Sequence, residues 1–92
     1  MRIEVTADDI ARGEKGEPGA CPVALACLRA GLFDVEVYEG EILGHCEDAD
    51  CEGRLIHFQA TPPDEVNRFI EAFDGGGVGV PSVAPFTFEL EP

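Results

Sequence analysis

Alternation of apolar and polar residues predicts five short strands along this chain. The segment 2–6 alternates in this way, with Ile3 and Val5 on one side, as is typical of a half-buried strand. The segment 33–38 alternates between apolar and mostly acidic residues, and the next two residues, Glu39 and Gly40, are enough for a hairpin turn. The predicted strands are 2–6, 33–38, 41–43, 54–59 and 86–90.

Two further segments have the sequence pattern of helices. The segment 22–30 is apolar on nearly every side, begins with Pro22 where no amide donor is needed, and is followed by Gly31, a favoured terminator. The second helix is predicted after the capping residue Thr61, which two prolines follow. Its apolar residues are spaced i, i+3, i+4 and i+7, and they are Val66, Phe69, Ile70 and Phe73.

The order of these elements predicts an α+β fold. The order β-α-β-β-β-α-β lacks the alternation that indicates a parallel sheet, so we expect a small antiparallel sheet with two main helices packed on one face. A brief helical turn is expected after Thr6, and loops are expected at 13–19, 45–53 and 75–85. The chain of 92 residues has room for one core, so residues 1–92 are expected to form a single domain.

Acidic residues greatly outnumber basic ones. The 19 Asp and Glu residues against six Lys and Arg residues give a formal charge of −13 at pH 7. Direct binding to nucleic acid is therefore not expected, because Lys and Arg supply most of the affinity for phosphates. No apolar segment approaches the roughly 20 residues that cross a bilayer, and the first ten residues lack a signal-peptide core. We expect a soluble, intracellular protein without membrane contacts.

Three motifs, taken together, resemble a known group of proteins. They lie at 6–10 with Gly13 and Gly16, at 21–26, and at 69–74 followed by 85–90. In this order they resemble small uncharacterised proteins carried by bacteriophages, especially those of actinobacteria. That group has a Thr-rich start, a Cys-Pro-hydrophobic helix and a Phe-rich carboxyl end. The resemblance covers most of the chain and implies a phage or prophage protein in the cytoplasm of a bacterial host, but it implies no activity.

An acidic tract is the most distinctive feature of the sequence. No Lys or Arg occurs between Arg29 and Arg54, and Asp34 and Glu36 are predicted on the same side of their strand. Hairpin pairing would add the carboxylates of neighbouring strands, giving a negative surface that attracts a basic partner. The alternative is that the charge only keeps a small protein soluble. The candidate binding residues are Asp34, Glu36, Glu39, Glu41, Glu47, Asp48, Asp50 and Glu52.

Four cysteines raise the question of a metal site or a disulfide. Their spacing, Cys21-x5-Cys27 and Cys46-x4-Cys51, differs from the short CxxC-like spacing of structural zinc sites. A disulfide between Cys46 and Cys51 fits a hairpin loop, although a reducing cytoplasm favours free thiols. Cys27 is expected to be a small buried hydrophobe. We expect no cofactor, and the residues that remain as metal candidates are His45, Cys46, Cys51 and His57.

Two loops match ligand-binding motifs in part. Residues 48–53 resemble the start of a calcium loop, but Gln59 stands where a bidentate Glu would close it. The Gly-rich segment 16–22 precedes a helix, an arrangement that can bind an anion and favour a thiolate at Cys21. Pro22 removes one of the amides, however, and the Lys and Ser/Thr of a phosphate-binding loop are absent. The simpler interpretation is a loop that leads into a buried helix.

The sequence contains no recognisable catalytic constellation. His57 could pair with Cys51 or Cys21 only if the fold brought them together. We therefore expect a non-enzymatic interaction protein that binds a basic surface of a host protein, with DNA mimicry, host takeover or anti-defence activity as more specific forms. The alternative is a small-ligand or metal-binding module at the start of the Cys21 helix or in the 45–51 loop. A homodimer formed through exposed strand edges also stays open.

Overall fold

The α+β class is confirmed by a computed structural model of the protein, which describes residues 1–14, 16–48, 53–74 and 84–91. All the predicted strands and helices are present, and the turn expected after Thr6 is a short helix. In chain order the elements are β1 (Arg2–Val5), α1 (Ala7–Arg12), α2 (Pro22–Arg29), β2 (Phe33–Tyr38), β3 (Glu41–Glu47), β4 (Leu55–Ala60), α3 (Asp64–Asp74) and β5 (Phe86–Glu89).

The strands are divided between two antiparallel sheets. β1 pairs with β5, with Ile3 opposite Phe88, and so joins residues near the two ends of the chain. β2, β3 and β4 form a meander in which Leu43 lies between Glu36 on one side and Gln59 on the other. The alternation of apolar and polar residues predicts each strand, but it does not indicate which other strand each one pairs with.

β3 extends further than its sequence predicts. Residues 45–47 were expected in a loop but continue the strand, paired with β4 as far as Glu47 opposite Leu55. The ladder hydrogen bonds of a central strand outweigh the low strand propensity of Gly44. A Cβ atom at Gly44 would lie 2.9 Å from the carbonyl oxygen of Phe33 and 3.0 Å from the ring of Phe58, so close packing requires glycine there.

The helix α2 lies in the middle of the core, as its apolar sequence predicts. It packs against α1, β1 and β2. Because the neighbouring elements surround it, most of its side chains are buried rather than only one stripe. None of the helices in the described ranges is long and apolar enough to cross a membrane. The buried residues of α2 are Pro22, Val23, Ala24, Ala26 and Cys27.

The apolar stripe of α3 packs on the core, which confirms its predicted helical spacing. Val66, Phe69 and Phe73 are buried, and the ring centroid of Phe69 lies 4.8 Å from that of Phe86 in β5. The polar side of the same helix contacts the other sheet, because the Asn67 side-chain oxygen accepts a hydrogen bond of 2.8 Å from a backbone amide of the β2–β3 turn. α3 therefore contacts both sheets.

An ion pair between buried Asp9 and half-exposed Arg29 joins α1 to α2. Thr6 and Asp9 form a capping box, with reciprocal hydrogen bonds of 3.2 and 2.8 Å between side chains and backbone amides. The guanidinium group of Arg29 donates to both carboxylate oxygens of Asp9 and, at 2.6 Å, to the carbonyl oxygen of Glu4. Burial alone would raise the pKa of Asp9, but the hydrogen bonds from Arg29 and Thr6 outweigh it and hold the pKa below its ordinary value of 3.8.

Asp9→Asn is expected to lower the free energy of unfolding by about 1–3 kcal/mol at neutral pH, because it leaves the Arg29 guanidinium without its charged acceptor. Because the pKa of Asp9 is lowered in the folded protein, its ionised carboxylate stabilises the folded state at pH values above the unfolded-state pKa of 3.8. This stabilisation is lost as the pH falls from 3.8 through the folded-state pKa. Urea unfolding of wild type and variant at neutral and acidic pH measures the difference.

Asp8→Asn is the matched control, since Asp8 is in the same helix and forms an exposed pair with Arg12 at 3.4 Å. Its effect should be about 0.5 kcal/mol or less. Equal effects of the two substitutions, or a difference independent of pH, would contradict the role assigned to Asp9.

Candidate functional site

The three-stranded sheet has one buried and one largely exposed face. Its buried face packs on the core through residues that include Val35, Val37, Ile42 and Phe58. Side chains alternate along a strand and cross-strand partners share a face, so the pairing register defines the other side of the sheet. We call it the outer face; its residues are Phe33, Glu36, Tyr38, Glu41, Leu43, His45, Glu47, Leu55, His57 and Gln59.

Three of the predicted binding carboxylates lie on the outer face. Glu36 and Glu41 are diagonal neighbours on adjacent strands, since Glu36 lies opposite Leu43 and Glu41 opposite Tyr38. Glu47 lies at the other end of β3, six residues along the strand from Glu41. The side-chain amide of Gln59 donates a hydrogen bond to Glu41. Because β2, β3 and β4 contain no Lys or Arg, nothing within these strands neutralises the carboxylates.

The other described acidic candidates lie outside the alternating positions of the outer face, although the Asp34 carboxylate approaches that face at His45. Glu39 lies in the β2–β3 turn rather than in a strand. Asp34 lies in a β-bulge with a φ of 50°, a left-handed conformation that Asp tolerates better than most residues. The amide of Asp48 donates to the carbonyl oxygen of Arg54 at 2.8 Å, just beyond the end of β3. Two further candidates, Asp50 and Glu52, lie outside the described residues.

Exposed apolar side chains separate the carboxylates on the outer face. Phe33 and Leu55 are 42% and 44% exposed, and Tyr38 is similarly exposed. The sequence pattern placed Phe33 with Val35 and Val37 on the buried face, and this placement was wrong. The bulge between Phe33 and Glu36 adds a residue to β2, which moves Phe33 to the outer face opposite His45. Single-sequence alternation contains no signal for such a bulge.

Two histidines occupy the middle of the outer face. His45 and His57 are cross-strand partners, with ring centroids 5.3 Å apart in an edge-to-face arrangement. The carboxylate of Asp34 lies 3.5 Å from Nδ1 of His45, but this buried nitrogen makes no hydrogen bond among the described residues. The pair therefore has a nearby negative charge and an unused ring nitrogen.

Of the predicted metal ligands, the structure pairs His45 with His57 but separates Cys46 from both. Cys46 is adjacent to His45 in β3, so it points to the opposite side of the sheet, where it packs against the core. Within the described ranges, no three His, Cys, Asp or Glu residues are grouped so that they could hold a metal ion. Cys51, and with it the predicted disulfide and most of the calcium-like loop, lies outside the described residues.

A cavity of about 250 Å³ opens beside the start of α2. Cys21 caps this helix, because its sulfur accepts a hydrogen bond of 3.4 Å from the amide of Ala24. Carboxylates surround the cavity, and they would repel the anion that the Gly-rich loop suggested. Its lining consists of Gly16, Glu17, Pro18, Cys21, Val37, Tyr38, Glu39, Ile70 and Glu71.

Two of these carboxylates interact with one another. A hydrogen bond with Glu71, followed in importance by the repulsion between the two charges, raises the pKa of Glu39 above its ordinary value. No sequence pattern indicates this pair, since Glu71 lies in α3, 32 positions from Glu39. Only the packing of α3 beside the β2–β3 turn brings them together.

Cys27 has no access to solvent and is a core residue, as predicted. Burial, with a smaller contribution from Cys21, raises the pKa of Cys27 to about 12. The thiol is therefore protonated at physiological pH, and Cys27 cannot serve as a nucleophile or a metal ligand in the folded protein.

No protein-family model, curated protein or solved structure matches this chain. Its function is therefore inferred from the chemistry of the outer face and of the cavity.

Cys27 is expected to resist alkylation by iodoacetamide at pH 8 in the folded protein and to react once the protein is unfolded in guanidinium chloride. The raised pKa and complete burial both suppress the thiolate. Peptide mass spectrometry measures the modification at Cys27. Modification of Cys27 at the same rate with and without denaturant would contradict the placement of Cys27 in the core.

Proposed function

We propose that this protein is a non-enzymatic, phage-type interaction protein that binds a basic surface of a host protein through its outer face. The observation that carries the proposal is the composition of that face. Carboxylates of β2 and β3 lie among exposed apolar side chains of β2 and β4, and the three strands contain no Lys or Arg. Such a face complements a surface that is both basic and partly apolar.

The negative charge of the outer face favours a basic partner. Glu36, Glu41 and Glu47 add to a chain whose formal charge is −13, so the potential near the outer face is negative. A negative potential speeds the approach of a positively charged protein and disfavours acidic partners. The same charge makes binding sensitive to salt, because exposed charges are screened at physiological ionic strength.

The exposed apolar residues of the outer face distinguish a binding interface from a charged surface that only keeps the protein soluble. Exposed Phe33, Tyr38 and Leu55 add nothing to solubility and oppose it. Aromatic side chains are instead enriched at the centre of protein interfaces, where a polar rim surrounds them. This mixture favours a protein partner over a surface that only keeps the chain in solution.

DNA mimicry is a more specific form of the same proposal. Glu36 and Glu41 are neighbours, while Glu47 lies about 20 Å along β3 at a rise of roughly 3.4 Å per residue. A partner that contacts both groups of carboxylates needs two separated basic groups with an apolar surface between them. A host nuclease, polymerase or repressor has basic surfaces of this kind, and occupying one would give host-takeover or anti-defence activity.

The alternative of a metal or nucleotide module has less support. Among the described residues no metal-ligand group is assembled, and the cavity beside Cys21 is lined by acidic residues, which disfavour phosphate.

The outer-face proposal is tested by affinity capture from an actinobacterial lysate, followed by binding measurements on the purified captured protein. Glu36→Lys combined with Glu47→Lys is expected to reduce affinity at least about tenfold, because like charges then face each other across the interface. Wild-type affinity should also fall steeply between low and physiological ionic strength.

The matched control combines Glu14→Lys with Glu65→Lys, which changes the net charge equally at exposed positions outside the outer face. It should retain most of the affinity of wild type. Equal losses for the two double variants, or affinity insensitive to salt, would reject the outer face as the binding site. Sedimentation of the unbound protein shows separately whether the outer face pairs with a second copy instead.

A further inference from the structure

We infer that the cavity beside the start of α2 binds the guanidinium group of an arginine side chain presented by the partner protein. This inference rests on the proposed function for the source of the arginine. It adds a second point of contact that is separate from the carboxylates of the outer face, and it specifies the chemistry of the group that is bound.

The walls of the cavity are fixed by hydrogen bonds. The amide of Val37 donates to the carbonyl oxygen of Pro18 at 2.9 Å, which holds the Gly-rich loop against β2. The amide of Gly40 donates to the side chain of Asn67 at 2.8 Å, which holds the β2–β3 turn against α3. These contacts come from three different parts of the chain, so the cavity exists before a ligand arrives and little ordering is needed on binding.

The lining combines the groups that an arginine side chain requires. Pro18, Val37 and Ile70 provide apolar contact for its methylene groups. The Glu39 and Glu71 carboxylates can accept several hydrogen bonds from one planar guanidinium group. The volume of about 250 Å³ is below the roughly 300–1,000 Å³ of pockets for drug-sized ligands, which suits a single side chain.

The electrostatics of the cavity favour a cation. Glu39 and Glu71 are close enough to interact, and no Lys, Arg or His of the described residues forms an ion pair with either carboxylate. A guanidinium group between them would replace repulsion by attraction. Arginine suits this position better than lysine, because its rigid fork can contact two carboxylates at once.

The position of the cavity connects it to the outer face. Tyr38 belongs to both, since it pairs with Glu41 on the outer face and also lines the cavity. A partner seated on the outer face could therefore reach the cavity with one side chain without a second docking event.

The probe is an acetylated, amidated Gly-Arg-Gly peptide, titrated into the isotope-labelled protein and followed by NMR. Shifts are expected at the amides of Gly16, Tyr38 and Gly40, and the peptide should bind at least about tenfold more tightly than its citrulline counterpart, which keeps the shape but lacks the charge. Affinity should rise as the pH is raised through the pKa of Glu39, because the ionised carboxylate is the form that binds a cation.

Two double variants locate the binding. Glu39→Gln with Glu71→Gln should reduce peptide affinity at least about tenfold, whereas Glu14→Gln with Glu65→Gln, which removes the same charge elsewhere, should leave it nearly unchanged. Lys15 precedes the cavity loop in the sequence but lies outside the described residues, so Lys15→Gln is titrated in parallel to remove its amino group as a competitor.

The inference is overturned if the arginine peptide binds neither wild type nor Lys15→Gln, or if it binds no better than the citrulline peptide. Equal losses in the two double variants would show general charge attraction and would also overturn it. The outer-face variant, Glu36→Lys with Glu47→Lys, should still bind the peptide, so failure of the cavity and failure of the proposed function give different results.

Discussion

The carboxylate of Asp9 holds together three elements on which the arrangement of the molecule relies. It caps α1 through Thr6, it is bound by Arg29 at the end of α2, and Arg29 also binds the backbone of β1 at Glu4. A buried charge is costly unless its hydrogen bonds are satisfied, and here each carboxylate oxygen has a donor. α2 is thereby fixed against β1 at one end, while its other end, at Cys21, forms part of the cavity. The structural ion pair and the proposed binding cavity are thus at opposite ends of one buried helix.

The outer face owes its composition to one irregularity in β2. Without the bulge at Asp34, Phe33 would continue the buried alternation of Val35 and Val37. The bulge moves the aromatic ring to the solvent side and brings the Asp34 carboxylate near His45. Backbone irregularities of this kind are common where a sheet has been adapted for function. The left-handed φ of 50° at Asp34 has a cost in stability, which is consistent with a bulge retained for what it exposes.

The cavity and the outer face also illustrate how a small acidic protein tolerates like charges. Glu39 and Glu71 are held near each other by the hydrogen bond between Asn67 of α3 and the β2–β3 turn, although their charges repel. Their repulsion weakens the free protein slightly, and a bound cation would remove it. The two carboxylates therefore repel each other less when a cation is bound than in the free protein, and this is the physical reason for proposing a basic partner.

The sequence by itself determined the α+β class, the strands and helices, the buried nature of α2 and Cys27, and the excess of negative charge. These follow from local periodicity, capping residues and composition, which act over a few residues. The tertiary structure alone decided the division into two sheets, the extension of β3, the bulge that exposes Phe33 and the separation of Cys46 from His45 and His57. It also decided the pairing of Asp9 with Arg29 and of Glu39 with Glu71, because such contacts depend on how distant segments pack, and alternation in one strand is independent of its neighbour.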